Sequence, residues 1–329
     1  MNTLREAVQE KISPAQIADA LTDVGHVSDI ELPPDIIGES TGIAIAQLLQ
    51  AGALGAGIGQ LPQAAAELLR ERLAAEDECR LLQEARGGRD VCWLDEGNPE
   101  PLVTIRMATF NRCEALMDCT LPTLLDQTYD NIEIVVVGDC TDAQTVKAMS
   151  GIKDRRVRFF NLPRPSSYPS DPIARWRVAG SPPMNLAAEL ALGAWITHCD
   201  DGDQFTSDHV EVLLRAAIER RLEMVYSKTL METPIGWQVV GTQPLASGNF
   251  TAGSVMWSAG LRFLKMSTTC FKLNEPQDAN LWRRMAQIGV KTGFVDDITY
   301  RYVQSSVFSA FDEARMLDEQ KGANEEVLV

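Results

Sequence analysis

The sequence predicts an α/β fold, a mixed sheet sandwiched by helices, with a helical module in front of it. From Pro101 onward, apolar runs of strand length alternate with segments of helical pattern, which favours a layered sheet with right-handed crossovers. The run Ile132–Val137 is almost continuously apolar, as are strands that are buried on both faces of a parallel sheet. Hydrophobic residues make up 45% of the chain and charged residues 23%, which is ordinary for a globular protein.

Residues 1–98 are predicted to form the helical module. Residues 63–86 consist mainly of strong helix formers, and Gly87-Gly88 provides a stop. The uncharged stretch Ser40–Ala66 contains glycines and glutamines, so it predicts a buried or interfacial helix rather than a membrane span. We expect this module to pack on the chain, to form homo-oligomers or to dock a partner. Its apolar stripe at near-helical spacing consists of Leu68, Leu69, Leu73, Leu81 and Leu82.

Residues 99–303 are predicted to form the α/β domain, and residues 304–329 an acidic tail. The predicted strands of the domain are Leu102–Ala108, Ile132–Val137, Val157–Phe160, Trp195–Cys199 and Glu223–Ser227. Its predicted helices are 113–127, Met184–Leu192 and His209–Arg220.

The charge and the cysteines limit the partners and the compartment. Thirty basic residues against 46 acidic ones give a net charge of −16, which repels phosphate backbones and anionic lipid, so nucleic acid is a poor partner. The 7 cysteines lack CxxC spacing and indicate reduced thiols rather than disulfides or a zinc site. No signal peptide is recognised at the start. We expect a cytoplasmic protein, with peripheral attachment at the inner membrane face as an alternative.

Polar segments follow four predicted strands: the clusters 109–112, 138–142 and 200–203, and the proline-rich loop 163–172 after the third strand. Ligands of such sheets bind at the carboxyl ends of the strands, so these clusters are expected to form a site. Asp200, Asp201 and Asp203 repel one another unless a cation binds them, and a hard divalent ion suits their oxygen ligands. A solvated acidic turn that caps the next helix is the alternative.

The order of these motifs resembles family 2 glycosyltransferases of the GT-A fold. In residues 102–142, Phe110-Asn111-Arg112, Gln127-Thr128-Tyr129 and the segment 133–142 follow one another in that family's order. Asn185, in the helix before the acidic loop, and the later segment QDANLWRRMAQIGVKTGFVDD also match. The resemblance spans about residues 101–302 and leaves the helical module and the tail uncovered.

The resemblance implies a nucleotide-sugar donor, with a UDP-sugar favoured, and a carbohydrate or other hydroxyl acceptor. Mn²⁺ or Mg²⁺ would hold the diphosphate, with Asp201 and Asp203 as metal ligands. Asp278 would be the catalytic base of an inverting transfer. The residues that would bind the donor nucleotide are Thr109, Phe110, Asn111, Arg112, Asp139, Asn185, Asp200 and Asp201.

Two positions depart from the family pattern. Gly202 stands where an acidic residue is usual, and Gln277 replaces the glutamate before Asp278. A non-catalytic sugar-nucleotide-binding or scaffold protein is therefore one alternative. A nucleotidyltransferase is another, although it would need a glycine-rich basic loop after the first strand, where Thr-Phe-Asn-Arg stands.

Side chains outside these motifs have weaker assignments. Arg175 and Arg177 are candidates for binding a phosphate or the acceptor, with surface ion pairing as the alternative. Trp257 is a candidate for stacking on an acceptor sugar, with core packing as the alternative. His198 is expected to be a core histidine, and His209 to lie exposed in the first turn of a helix.

Overall fold

The structure is a computed structural model that describes residues 61–87, 100–245 and 249–303. The predictions for residues 1–60 and for the acidic tail 304–329 lie outside the described residues. The helices are α1 (Leu61–Gly87), α2 (Leu121–Leu125), α3 (Ala143–Ser150), α4 (Pro172–Val178), α5 (Ser181–Leu190), α6 (His209–Glu219) and α7 (Gln277–Gln287). The strands are β1 (Val103–Thr109), β2 (Ile132–Gly138), β3 (Val157–Asn161), β4 (Trp195–His198), β5 (Gln204–Phe205), β6 (Met224–Thr233), β7 (Gly236–Val240), β8 (Val255–Ser258) and β9 (Thr292–Tyr302).

Within these described ranges, nine strands form one mixed sheet. Its order is β3-β2-β1-β4-β8-β6-β9-β5, with β7 paired to β6. Strands β1 to β4 run parallel, whereas β8 is antiparallel to both β4 and β6. The predicted mixed α/β fold is confirmed.

The sheet separates two apolar clusters, because successive side chains of a strand point to opposite faces. Ile105 and Met107 of β1 belong to one cluster together with Val136 of β2. The other cluster contains Trp257 of β8 and Trp282 of α7. Arg106 lies between Ile105 and Met107 and therefore points to the second face.

The predicted helix 113–127 is different in the structure. A π-helical turn over Ala115–Thr120 leads into the short helix α2. Pro122 lies in the first turn of α2 and has no backbone N–H to donate, so the regular hydrogen-bond ladder cannot run through this point.

Helix α1 lies inside the predicted module 1–98 and packs directly on the α/β domain. Its Leu82 is fully buried in the second cluster, next to Trp282 of α7. Leu68 of the predicted leucine stripe is also buried, whereas Leu81 is only half-buried. No helix among the described residues is long and apolar enough to cross a bilayer.

His209 is fully buried, so the prediction that it is exposed was wrong. It begins α6 and lies between Thr197 of β4 (Nε2 to Oγ1, 3.1 Å) and Thr299 of β9 (Nδ1 to Oγ1, 2.8 Å). Its ring stacks on Phe205 with ring centroids 3.7 Å apart. Burial lowers the pKa of His209 to about 3.

We expect this buried histidine to make the fold acid-sensitive. Because the folded-state pKa is about 3 and the ordinary value is 6.5, only the unfolded chain takes up this proton as the pH falls below 6.5. The stability advantage of wild type over His209→Gln should therefore shrink by about 2 kcal/mol between neutral pH and about pH 5. Denaturant unfolding of both proteins at each pH measures it, and a pH-independent difference would contradict the assignment.

Candidate active site

The polar clusters that follow β1, β2 and β4 meet at one edge of the sheet. The hydroxyl of Thr109 donates to Asp201 Oδ2 (2.8 Å), and Arg112 Nη1 donates to Asp201 Oδ1 (3.1 Å). Asn111 Oδ1 accepts from the backbone N–H of Asp142 (2.8 Å), which joins the first cluster to the second. Parallel strands put their carboxyl ends on the same side, so the structure brings together what the sequence separates by up to about 90 residues.

Two residues of this edge have left-handed backbones, Asn111 (φ 54°) and Cys140 (φ 56°). Each lies two residues after the end of a buried strand, where the chain leaves the sheet. Such conformations are uncommon outside glycine and concentrate at functional sites. Asparagine tolerates this region better than most residues, so Asn111 suits its turn.

The three aspartates of the acidic loop have different environments. Asp203 is fully buried, where it accepts from the Tyr300 hydroxyl (2.6 Å) and the Val303 backbone N–H (2.8 Å). Both oxygens of Asp201 are engaged by Thr109 and Arg112. The Asp200 side chain is 46% exposed and contacts His198 Nε2 (3.0 Å).

The pKa values of these carboxyls diverge accordingly. Burial raises the pKa of Asp201 to about 7, although Arg112 and Thr109 favour its charged form. Burial, reinforced by the charge of Asp200, raises the pKa of Asp203 well above its ordinary value. Burial alone would raise the pKa of Asp200, but His198, Arg112 and Arg106 together favour its charged form and lower that pKa. Of the three aspartates of the acidic loop, Asp200 is thus the one that remains charged and accessible.

The residues Asp201 and Asp203 do not fit the metal centre that the resemblance implies for them. All four of their oxygens already accept hydrogen bonds from the protein, and the described residues contain no group of three or more acidic, histidine or cysteine side chains that could hold a metal ion. Asp200 does fit a cation that arrives with a diphosphate, since Mg²⁺ is usually held by one or two carboxylates plus substrate phosphates.

The backbone conformation of Gly202 favours glycine at this position. Its φ is 108°, a conformation that L side chains rarely adopt, and its N–H donates to Thr120 Oγ1 (2.7 Å). The backbone conformation at this position therefore favours glycine over an acidic residue.

Asp139 anchors the proline-rich loop that follows β3. Its Oδ1 accepts from the Ser166 N–H (2.9 Å) and hydroxyl (2.6 Å), and its Oδ2 accepts from the Tyr168 hydroxyl (2.5 Å). Burial and the Asp139 carboxylate raise the pKa of Tyr168. The loop therefore lies against the end of β2, next to the predicted nucleotide site.

Asp278 lies in the first turn of α7, close to the acidic loop. Burial raises the pKa of Asp278, and the negative charge of Asp200 raises it further, while His198 opposes the shift. Asp200 thus supplies the repulsion that an adjacent glutamate would have provided. Glu275 instead pairs with Arg283 (2.7 Å), and Gln277 holds the chain by donating to the Ala179 carbonyl (2.6 Å).

Comparison with known proteins identifies this edge of the sheet. Residues 104–170, which include β1, β2, β3 and the first two clusters, match the family model described as glycosyl transferase family 2. This segment of the chain is therefore similar to a family 2 glycosyltransferase domain. Both the predicted family and the predicted GT-A fold are confirmed.

Individual relatives of this glycosyltransferase domain are distant. An uncharacterized glycosyltransferase of Haemophilus influenzae is 27% identical over 128 residues, which are 38% of this chain and 46% of the relative. The Escherichia coli UDP-Glc:alpha-D-GlcNAc-diphosphoundecaprenol beta-1,3-glucosyltransferase WfaP is 24% identical over 220 residues, 64% of this chain and 80% of WfaP. The crystal structure of S. aureus TarS matches with a TM-score of 0.50 and 14% identity, over 61% of this chain and 36% of TarS. The chain thus spans less than half the length of the Haemophilus relative.

Sequence reasoning missed Arg106 in the glycosyltransferase domain. The guanidinium is 2% exposed, lies over the Trp257 ring (4.5 Å to the centroid), and has a buried Nε without a hydrogen-bond partner among the described residues. Burial lowers the pKa of Arg106 to about 9, and the charge of Asp200 opposes this shift. Its register partner on β4 is His198, which contacts Asp200. The one signal in the sequence was a charged residue inside an apolar strand.

The other residues that were predicted to bind the donor, a phosphate or the acceptor differ in how buried they are. Trp257 is 2% exposed and packs against Arg106 and Trp282, so it is a core residue and the predicted stacking on an acceptor is corrected. The Asn185 amide is engaged with the Met266 backbone, donating at 2.9 Å and accepting at 2.8 Å. The candidates for exposed contacts near the site are Phe110 (54% exposed), Arg175 and the half-buried Arg177.

Proposed function

We propose that the protein is an inverting glycosyltransferase that moves a sugar from a nucleoside-diphosphate sugar, UDP-sugars being favoured, to a hydroxyl acceptor. The observation that carries the proposal is the meeting of three strand-end clusters beside Asp278, whose pKa is raised by burial and by Asp200. A base with a raised pKa suits proton abstraction near neutral pH. The activity of WfaP, a UDP-glucose-dependent enzyme by its name, supports the choice of a uridine nucleotide.

Different residues at this edge would bind the nucleotide, contact the diphosphate and accept the proton. Asn111, Asp139 and the 163–170 loop would enclose the base and ribose, with Thr109, Phe110 and Asn185 around them. Arg112 would contact the diphosphate, since its buried Nη2 has no hydrogen-bond partner among the described residues. Asp278 would accept the proton of the attacking hydroxyl on the face of the sugar opposite the leaving diphosphate, which gives inversion.

Asp200 would hold a divalent ion, Mn²⁺ or Mg²⁺, together with the diphosphate. When bound, such an ion supplies Lewis-acid stabilisation of the leaving diphosphate. Both departures that motivated a non-catalytic protein have local structural reasons, the φ of Gly202 and the hydrogen bonds of Gln277. We further propose a cytoplasmic location and homo-oligomer formation through the N-terminal helical module 1–98.

We expect UDP and Mn²⁺ to bind together. UDP should bind about tenfold more tightly with Mn²⁺ than with a chelator, because one protein carboxylate and the diphosphate complete the ion's coordination. Mn²⁺ alone should bind weakly, and Asp200→Asn should remove the difference. Asp296→Asn, an exposed carboxylate on β9 (80% exposed), is the matched control. Calorimetry measures this, and equal UDP affinity with and without Mn²⁺ would contradict the role of Asp200.

The donor is tested by a panel of UDP-, GDP- and other nucleotide sugars, with release of the nucleoside diphosphate as the readout. Slow hydrolysis of one donor by the wild-type protein without an acceptor is the expected result. Release from none of the donors, together with no UDP binding, would overturn the proposal.

A further inference from the structure

Helix α1 contacts α7, the helix that carries Asp278, through side chains. Seven of the residues of α1 that face the domain recur at alternating spacings of four and three, which places these seven along one side of the helix. Five of these positions are apolar, and two are glutamates one heptad apart. The seven residues, buried or half-buried, are Ala64, Leu68, Glu71, Ala75, Glu78, Leu82 and Ala85.

The two glutamates pair with arginines of α7. Glu71 Oε2 accepts from Arg283 Nη2 (2.8 Å), and Glu78 accepts from Arg284 Nη2. At the far end of α1 the polarity reverses, since Arg86 donates to both oxygens of Glu223 (2.7 and 2.8 Å). Charges buried in a packed face are costly when unpaired, so this pattern favours one register of α1 on the domain.

Glu71 also reaches the turn that holds Asp278. Its Oε1 accepts from Asn280 Nδ2 (2.6 Å), and Asn280, fully buried, lies two residues after Asp278. Arg283, which Glu71 also binds, fixes Glu275 three residues before Asp278 (2.7 Å). On the other side Gln277 is held by the Ala179 carbonyl (2.6 Å). The first turn of α7 is therefore fixed by the α4–α5 turn through Gln277 and by α1 through Glu71.

We propose that α1 is the element that positions the catalytic base, with Glu71 as the positioning residue. Glu71 holds Asn280 and Arg283 and thereby sets the orientation of the turn that presents Asp278 to the acceptor. The proposal rests on the proposed function, since it takes Asp278 as the base. Among the described contacts, α1 makes none with the acidic loop or with Asp139, so it should affect proton abstraction and leave donor binding intact.

The test compares Glu71→Ala and Glu71→Gln with Glu84→Gln in the full-length chain. Glu84 is exposed on the same helix and pairs with Arg80 of α1, so it is the matched control. Glu71→Ala removes both bonds, whereas Glu71→Gln keeps an oxygen for Asn280. Hydrogen–deuterium exchange of residues 275–283 reports the order of the turn, and UDP titration and thermal unfolding report the donor site and the fold.

We expect faster exchange of residues 275–283 and a fall in kcat of about tenfold to a hundredfold in Glu71→Ala, because small displacements of a catalytic group have effects of this size. KM for the donor and UDP affinity should stay within about twofold, with smaller effects in Glu71→Gln and none in Glu84→Gln. Unchanged exchange with unchanged kcat would overturn the proposal, as would a loss of UDP affinity in proportion to kcat.

The hydrogen–deuterium exchange measurement distinguishes a failure of this proposal from a failure of the proposed function. If Asp278→Asn turns over donor as fast as wild type, the assignment of the base fails, and base positioning fails with it, whatever Glu71 does. If Asp278→Asn is inactive and the exchange of residues 275–283 is unaffected by Glu71→Ala, only the role of α1 is overturned.

Discussion

Replacing Asp278 with asparagine should lower kcat for sugar transfer by about a thousandfold, within the range that a general base contributes. Asparagine keeps the size of the side chain but cannot accept the proton of the attacking hydroxyl. UDP affinity should be unchanged or slightly tighter, since the variant removes a negative charge near Asp200. Turnover with the donor identified by the panel, together with UDP calorimetry, measures both quantities.

Two further results bear on Asp278. The acid limb of the pH profile of kcat should lie above the ordinary carboxyl pKa of 3.8, because burial and Asp200 raise the pKa of Asp278 and the base must be deprotonated to act. Asp296→Asn, at an exposed position of β9, should keep wild-type turnover. A variant Asp278→Asn with turnover within about threefold of wild type would remove this residue from the mechanism.

Replacing Asp203 with alanine should lower the free energy of unfolding by about 3–5 kcal/mol. The substitution leaves two donors without their acceptor, the Tyr300 hydroxyl and the Val303 N–H, and each such loss costs about 1–3 kcal/mol. It also detaches the acidic loop from β9, so UDP affinity should fall with stability. Denaturant unfolding measures the change directly.

Tyr300→Phe is the graded control for Asp203→Ala. It removes one donor and keeps the ring packed against Phe205 (5.9 Å between centroids), so about 1–2 kcal/mol should be lost. A loss below about 0.5 kcal/mol in Asp203→Ala would show that the hydrogen bonds of Asp203 contribute little to the fold.

The position of the site could be predicted from sequence because it depends on local pattern. The apolar runs of β1, β2 and β4 mark parallel strands, and the polar residues after them must meet at one edge. The parts that could not be predicted depend on contacts between distant segments. Strand β8 lies antiparallel between β4 and β6. No short-range pattern in the sequence predicts this position or direction of the strand.

The roles of the three loop aspartates show the same limit. The sequence analysis assigned the metal ion to Asp201 and Asp203. In the structure, however, Asp203 accepts a hydrogen bond from the hydroxyl of Tyr300, which lies 97 residues later in the chain. His209 was expected to be exposed because it begins a helix, yet Thr299 of β9 covers it. A leucine stripe on α1 could be recognised, whereas the burial of Glu71 depends on Arg283, 212 residues later.

The most direct test of the central claim is a crystal structure of the protein with UDP and Mn²⁺. The expected result has the diphosphate and the ion at Asp200, with Arg112 on the phosphates, the base beside Asp139, and Asp278 on the open side where the sugar would lie. UDP bound away from the carboxyl ends of β1, β2 and β4, or an ion held without Asp200, would contradict the account.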